Sequence, residues 1–256
     1  MNLFRHEQIC RMNESELAVY NYVSAHLREV EKMNIRELSA AVGVSTTTIL
    51  RFCSRIGCNG YTEFKYNVHR MLEEQKETKA YFPSEIPAIQ YLENARNNQE
   101  LVWQMEVAVE LCMKARQVLF IGIGTSGSLG EYGARFFAGV GVPAFAITDP
   151  YYPTPIQEME NTTVIALSVS GETPAVIYLI DGYKKKRAKV ISITNTNQCT
   201  LAKMSDINFS YYMPVSYAWQ NAKEANLTTQ IPVVYLLEML MRKIHMKYDE
   251  NDDKVE

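Results

Sequence analysis

The second half of this chain contains a series of short apolar runs that are rich in β-branched residues. Helix-like stretches at 126–139 and 173–187 lie between several of these runs. Continuous apolar strands that alternate with helices are typical of a parallel sheet covered on both faces. The pattern therefore predicts an α/β fold with a five-stranded parallel sheet flanked by helices. The predicted strands are 117–123, 143–147, 162–168, 189–194 and a weaker 207–209.

The first 77 residues show helical periodicity only. A tight turn at 41–44 joins two short helices, and Ser45 is a good N-cap for the second, because its hydroxyl can accept from a free backbone N–H. Ile49, Phe52, Cys53 and Ile56 recur at helical spacing and predict one buried face. We therefore expect an all-α helix-turn-helix domain in front of the sheet.

A charged stretch with two prolines, residues 73–87, is the best candidate for a linker. Helical patterns resume at 88–114, and a last helix is predicted at about 222–247. The resulting boundaries are a helix-turn-helix domain, a linker with a helical connection, a sheet domain and a polar tail. In order, they are 1–77, 78–107, 108–247 and 248–256.

The polar face of the second helix of the turn is suited to the major groove of DNA. Small hydroxyl side chains can approach bases and phosphates closely, and arginines can bind guanine or phosphate. Residues 45–70 carry four basic groups and one acidic group, although the chain as a whole has a formal net charge of −3. The alternative is a helical hairpin with an ordinary solvated face. The candidate DNA contacts are Ser45, Thr46, Thr47, Thr48, Arg51, Arg55 and Lys65.

Other features exclude whole classes of protein. The apolar runs are far shorter than the ~20 residues that span a bilayer, and a secretory signal pattern is absent. The five cysteines form no CxxC pair, which indicates reduced thiols in the cytoplasm. The four histidines are scattered, so we expect neither a metal site nor a cofactor.

Two loops rich in glycine and hydroxyl groups follow predicted strands and lead into helices. Ligands bind at this edge of open parallel sheets, and helix N-termini attract anions. Together the loops predict a site for a phosphorylated, hydroxylated small molecule. The candidate ligand-binding residues are Gly124, Thr125 and Ser126 in the first loop and Ser168, Ser170, Gly171, Glu172 and Thr173 in the second.

The first loop also permits a different interpretation. Gly122, Gly124 and Gly127 form a GxGxxG pattern after a strand, and Asp149 follows about 20 residues later, as in dinucleotide-binding sites. Such a site does not account for the second loop. A regulator that senses NAD(H) therefore remains an alternative.

The chain resembles RpiR-type transcription regulators, which join a helix-turn-helix domain to a sugar isomerase (SIS) domain. The similarity lies in IRELSAAVGVSTTTILRFCSRIGCNGYTEFK at the front and in FIGIGTSGS, ALSVSGET and VISITNT at the rear. It implies a repressor or activator whose affinity for operator DNA responds to a phosphosugar. It also implies that Ser126, Ser168, Ser170 and Thr173 hold the phosphate or the sugar hydroxyls, whereas the role of Glu172 is left open.

SIS domains also occur in aldose–ketose isomerases, which need a base to move a proton between carbons. Three of the four histidines precede residue 78, and His245 lies in a predicted amphipathic helix. Glu172 and Glu224 are possible bases, but neither has an obvious acid partner. We therefore expect binding without turnover, with an SIS-type phosphosugar isomerase as the alternative. We also expect a homodimer or homotetramer that binds half-sites ~34 Å apart or a multiple of this.

Overall fold

The computed structural model describes residues 4–77, 85–217 and 226–252. The chain folds into two compact units. The first consists of Met1–Asn94 and Tyr212–Thr229, and the second of Ala95–Tyr211 and Gln230–Glu256. The chain therefore leaves the second unit after its last strand and returns to it before its last helix.

The first unit is helical, and its apolar core forms around aromatic side chains. Phe52 and Phe64, which are fully buried, meet edge to face with ring centroids 5.8 Å apart. Asn13 and Asn34 are the N-caps of two helices, and each forms a capping box. The box satisfies two backbone N–H groups at the start of its helix. The helices are α1 His6–Cys10, α2 Glu14–Ala25, α3 Leu27–Val30, α4 Ile35–Val42, α5 Thr46–Arg55, α6 Tyr61–Glu77 and α7 Glu85–Ala95.

The second unit contains a five-stranded sheet in the order β2-β1-β3-β4-β5, in which every pairing is parallel. This confirms the predicted fold class. The strands are β1 Gln117–Gly122, β2 Ala144–Ile147, β3 Thr162–Ser168, β4 Lys189–Thr194 and β5 Ile207–Ser210. The helices are α8 Gln99–Lys114, α9 Thr125–Ala138, α10 Pro174–Lys185, α11 Thr200–Met204 and α12 Ile231–Asp252.

Helices cover the sheet on both faces, because successive residues of a strand point to opposite sides. Leu119 and Ile121 of β1 belong to the core cluster formed with α10. Phe120 points the other way and meets Phe137 of α9, with ring centroids 5.1 Å apart. At Gly133 a Cβ would lie 2.6 Å from the Phe120 ring, so only glycine allows α9 to approach β1 this closely.

The structure differs from the predicted boundaries in several places. The predicted helix 88–114 is two helices, α7 and α8, and Asn98 caps the second, so that 95–107 belong to the sheet unit rather than to a linker. The last helix begins at Ile231 and continues to Asp252, into the predicted polar tail. Part of the helix predicted at 222–247 falls on residues 218–225, outside the described residues.

Residues 212–229 belong to the first unit, although the sequence pattern assigned them to the sheet domain. Periodicity gave no sign of this, because it reports local structure and not the partner against which a segment packs. Within the described ranges, no helix has the length and apolar character needed to cross a membrane.

Candidate functional site

The two hydroxyl-rich loops follow β1 and β3, which are neighbours in the sheet. Gly122, the last residue of β1, pairs with Leu167 near the end of β3, so both loops leave the same edge. The helices that follow lie on opposite faces of the sheet, which opens a crevice between the two strands. Ligands bind at this kind of position in open parallel sheets.

The first loop is a tight turn whose backbone folds closely on itself. Gly124 has a φ of +62°, and a Cβ on Gly127 would lie 2.8 Å from the carbonyl oxygen of Gly122. Gly124 and Gly127, two of the three glycines of the pattern, thus serve the turn itself. In the described residues, no side chain caps α9, so its first N–H groups have no side-chain acceptor.

Two hydroxyl groups of the first loop share one partner. Ser126, only 6% exposed, donates from Oγ to Oε1 of Gln230 at 3.3 Å. The Gln230 amide Nε2 donates to Thr125 Oγ1 at 3.0 Å. Gln230 lies about a hundred positions along the chain, so local sequence patterns gave no signal for it.

The second loop is held in shape by its own hydroxyls. Ser168 Oγ accepts from the N–H of Gly171 at 3.1 Å and lies 3.0 Å from Thr173 Oγ1. Ser170 Oγ accepts from the N–H of Glu172 at 3.1 Å, and its side chain is exposed. Gly171 has a φ of +66°, a conformation that favours glycine. The five predicted residues of this loop therefore lie together.

Glu172 has a structural partner. Its Oε1 accepts from the backbone N–H of Thr200 at 2.6 Å, and the Gly171 carbonyl accepts from Leu201 N–H at 3.0 Å. The loop thereby fixes the start of α11. Glu224, the other base considered, lies outside the described residues.

The chemistry available in the crevice suits an anion with hydroxyl groups. α10 begins with Pro174 at its first position and, in the part of the chain that the structure describes, also lacks a side-chain cap. Two uncapped helix N-termini offer N–H donors and partial positive charge, and the serine and threonine hydroxyls add neutral donors. Among the described residues, no cluster of His, Cys, Asp and Glu could hold a metal ion.

Asp149, the acidic residue of the alternative interpretation, lies two residues beyond β2, the strand next to β1. Its Oδ1 accepts from the N–H of Tyr151 at 2.8 Å, and the side chain is exposed. The carboxylate thus supports a turn of its own loop.

In the first unit, α4 and α5 form the predicted helix-turn-helix. Gly43 has a φ of +75° and ends α4, and Ser39 Oγ donates to the Val44 carbonyl at 2.5 Å. Ser45 caps α5 by accepting from the N–H of Thr48 at 3.1 Å. The predicted apolar face of α5 is buried, and Ile49, for example, is fully inaccessible.

The exposed face of α5 presents Thr47, Leu50, Arg51 and Ser54, which recur at helical spacing. Thr46 and Thr48 are half-buried, as is Lys65 on α6. Leu50, which is 47% exposed, was not among the predicted contacts. An apolar residue three positions after Thr47 on a polar face was the signal that could have identified it, because a methyl group can contact thymine.

Arg55 faces the interior of the unit as well as solvent. Its Nη2 lies 3.5 Å from Oε2 of Glu16, whose side chain is 2% exposed. The same arginine lines a cleft of about 540 Å³ together with Arg11 and Arg51. Of the two predicted arginines on α5, only Arg51 lacks a salt bridge within the described residues.

Comparison with known proteins supports the two-part architecture. A family model of the helix-turn-helix domain of the rpiR family matches residues 6–75, and one of the SIS domain matches residues 112–237. The chain belongs to the RpiR family. Its RpiR-type helix-turn-helix domain contains α4 and α5, and its SIS domain contains both hydroxyl-rich loops.

Relatives of this RpiR-family chain carry regulator names. It is 24% identical over 249 residues to an uncharacterised HTH-type transcriptional regulator of Clostridium perfringens, covering 91% of this chain and 88% of the relative. It is 26% identical over 216 residues to one of Bacillus subtilis, covering 77% and 74%. The Vibrio vulnificus NanR protein complexed with ManNAc-6P has a similar fold, with a TM-score of 0.54, 21% identity and coverage of 96% and 92%.

Proposed function

We propose that this RpiR-family protein is a DNA-binding transcriptional regulator whose affinity for operator DNA changes when a phosphosugar binds its SIS domain. The proposal rests on the two loops, which meet at one edge of the sheet. The two helices that follow them have no side-chain cap within the described residues. The hydroxyl groups of the loops are those of Ser126, Ser168, Ser170 and Thr173. This arrangement supports binding of a phosphomonoester by neutral hydroxyls and backbone N–H groups. The ManNAc-6P bound by NanR is a ligand of that class.

DNA binding is assigned to the exposed face of α5. Thr47 and Arg51 lie on that face, and Ser45, Thr46 and Thr48 lie at the end of the helix that enters the groove in helix-turn-helix proteins. Arg55 and Lys65 border it. A homodimer or homotetramer would present two such helices to adjacent half-sites.

We expect no isomerase activity. His69 pairs with Glu31 in the first unit, and His245 lies 3.6 Å from Asp249 on α12 with 56% of its side chain exposed. Glu172 holds the N–H of Thr200. Within the described residues, none of these side chains is an unpaired carboxylate or imidazole that lies in the crevice beside a second acid–base group.

A thermal-shift experiment tests the effector class. The full-length protein is heated with ManNAc-6P, glucose 6-phosphate, inorganic phosphate or NADH, each at increasing concentration. A ligand at 100 times its dissociation constant stabilises the folded state by ~2.7 kcal/mol. We expect a sugar phosphate to stabilise the protein more than phosphate alone.

Ser170→Ala isolates the site, because the Ser170 hydroxyl is exposed and its only described bond is to the neighbouring Glu172 N–H. Losing a hydrogen bond to a charged group weakens binding by roughly 10- to 100-fold. Ser205→Ala is the matched control, since the one bond of the Ser205 hydroxyl within the described residues is to the Leu201 carbonyl of α11. Stabilisation by NADH alone, insensitive to Ser170→Ala, would favour the dinucleotide alternative instead.

Arg51→Ala tests the DNA surface. A duplex is first selected from a pool of genomic fragments with the wild-type protein, and its dissociation constant is then measured by fluorescence anisotropy. We expect a loss of ~1–3 kcal/mol in binding if Arg51 contacts a base, with an unchanged response of the protein to sugar phosphate. Equal affinities of the variant and the wild type for the duplex would contradict the assignment of DNA binding to α5.

A further inference from the structure

Between the last strand and the last helix, residues 212–217 and 226–229 form the two arms of a small ribbon that belongs to the first unit. Its two arms are joined at Ser216: the Leu227 N–H donates to the Ser216 carbonyl at 2.8 Å, and the Ser216 N–H donates to Thr228 Oγ1 at 3.1 Å. Tyr217 and Asn226 form an antiparallel bridge. A displacement of one arm is therefore transmitted to the other.

The first arm of the ribbon is anchored in the core of the helix-turn-helix unit. Tyr212 is 4% exposed and packs in the same apolar cluster as Phe52 of α5. The buried Tyr20 hydroxyl donates to the Tyr212 carbonyl at 3.2 Å. Tyr212 has a φ of +49°, which is unusual for a tyrosine and shows that the packing fixes the chain at this point.

The second arm of the ribbon leads directly into Gln230, the residue that holds both hydroxyls of the first loop. Ser126 Oγ donates to the Gln230 carboxamide oxygen, and the Gln230 amide donates to Thr125 Oγ1. A phosphate oxygen accepts hydrogen bonds from a serine hydroxyl just as the carboxamide oxygen does. An anion bound to Ser126 would therefore compete with Gln230 for the same donor.

We propose that Gln230 is a positioning residue that couples occupancy of the phosphate site to the helix-turn-helix unit, a step that rests on the function proposed above. Without effector, Gln230 bonds the first loop and holds the second arm of the ribbon. A phosphate on Ser126 displaces the carboxamide, and the released arm loosens the pairing at Ser216. Because Tyr212, at the start of the other arm, is buried in the core that supports α5, the change reaches the DNA-binding surface through the chain itself.

The coupling meets the thermodynamic requirement for an effector. A ligand shifts an equilibrium only if it binds the two states unequally, and here it binds the state in which Gln230 has left Ser126 more tightly. The hydrogen bond between Gln230 and Ser126 lowers the apparent affinity of the site for the anion. By linkage, the bound anion loosens the ribbon by the same factor. Removing the contact should thus strengthen binding while abolishing the response.

Hydrogen exchange measured by mass spectrometry on the full-length protein tests the proposal, with ManNAc-6P, glucose 6-phosphate and inorganic phosphate as probes. Gln230→Met keeps the side-chain volume but removes both hydrogen bonds, and Ser126→Ala removes one bond from the other side. Gln157→Ala is the matched control, because Gln157 is an exposed glutamine of the same unit. Thermal shift on the same samples reports binding separately from exchange.

We expect the amides of the two arms, 212–217 and 226–229, to exchange about two- to tenfold faster in Gln230→Met and in Ser126→Ala than in wild type, since one or two ordinary hydrogen bonds are lost. A bound sugar phosphate should accelerate the same amides in wild type and in Gln157→Ala, but not further in Gln230→Met. Unchanged exchange in both variants would overturn the proposal. So would a wild-type protein that binds a probe without any change in the ribbon, and this result would leave the proposed effector site standing. Failure of every probe to bind wild type would overturn both.

Discussion

Gly171→Ala is a test of how tightly the second loop is built. Gly171 has a φ of +66°, and an added Cβ would lie 2.1 Å from Sγ and 2.7 Å from Cβ of Cys199. Cys199 is 3% exposed, and its thiol donates to the Thr196 carbonyl at 3.1 Å, so it cannot move aside freely. The substitution therefore combines backbone strain with a steric clash.

The expected cost follows from the two contributions. A left-handed conformation costs a residue with a side chain roughly 1–2 kcal/mol. Forcing an extra methyl group into a packed interior costs typically about 1–3 kcal/mol. Gly171→Ala should thus destabilise the SIS domain by about 2–5 kcal/mol, a large fraction of the ~5–15 kcal/mol that a domain has.

Gly141→Ala separates the two contributions. Gly141 has a φ of +84°, but nothing lies within 4 Å of its added Cβ, so only the strain of about 1–2 kcal/mol applies. Urea denaturation followed by circular dichroism gives the free energy of unfolding of both variants. In the double variant Gly171→Ala/Cys199→Ala the closest contact is absent, and part of the loss should be recovered. Equal destabilisation by Gly171→Ala and Gly141→Ala would show that the contact with Cys199 adds no cost.

Three further predictions concern charges and thiols. Arg55→Ala should lower the free energy of unfolding of the first unit by about 1–3 kcal/mol in urea denaturation, because the buried Glu16 carboxylate keeps its hydrogen bond from the Asn13 N–H but loses its ion-pair partner. Burial raises the pKa of the Cys53 and Cys112 thiols to about 12, so iodoacetamide at pH 8 should leave both unmodified in the native protein, as mass spectrometry would detect. The hydrogen bond from Lys243 is the main cause that lowers the pKa of Glu106. The small stabilisation from this hydrogen bond is complete above the ordinary pKa of a glutamate and is lost as the pH falls through the lowered pKa of Glu106. The destabilisation caused by Glu106→Gln at neutral pH should therefore vanish in acid.

Much of this fold could be predicted because its signals are local. Continuous apolar runs identified all five strands, since a strand buried on both faces has no polar alternation. The spacing of Ile49, Phe52 and Cys53 identified the buried face of α5, because burial in a helix follows its period. The two loops could be placed at one edge because parallel strands end together.

The features that escaped prediction depend on long-range contacts. Gln230 meets Thr125 and Ser126 only because the sheet brings α12 beside α9. Arg51 and Arg55 both lie on α5 and look alike in the sequence. Only the fold reveals that Arg55 pairs with the buried Glu16. The residues of the ribbon show no periodicity that indicates the unit they join.

We propose above that a phosphosugar at the two loops changes the affinity of α5 for DNA. The most direct test is the dissociation constant of the full-length protein for its selected duplex, measured with and without a saturating sugar phosphate that stabilises it. We expect a change of about 5- to 150-fold in the wild type, the range of ordinary allosteric coupling, and a much smaller one in Ser170→Ala at the same concentration. Identical dissociation constants with the effector bound and absent would show that the two loops and α5 are not coupled.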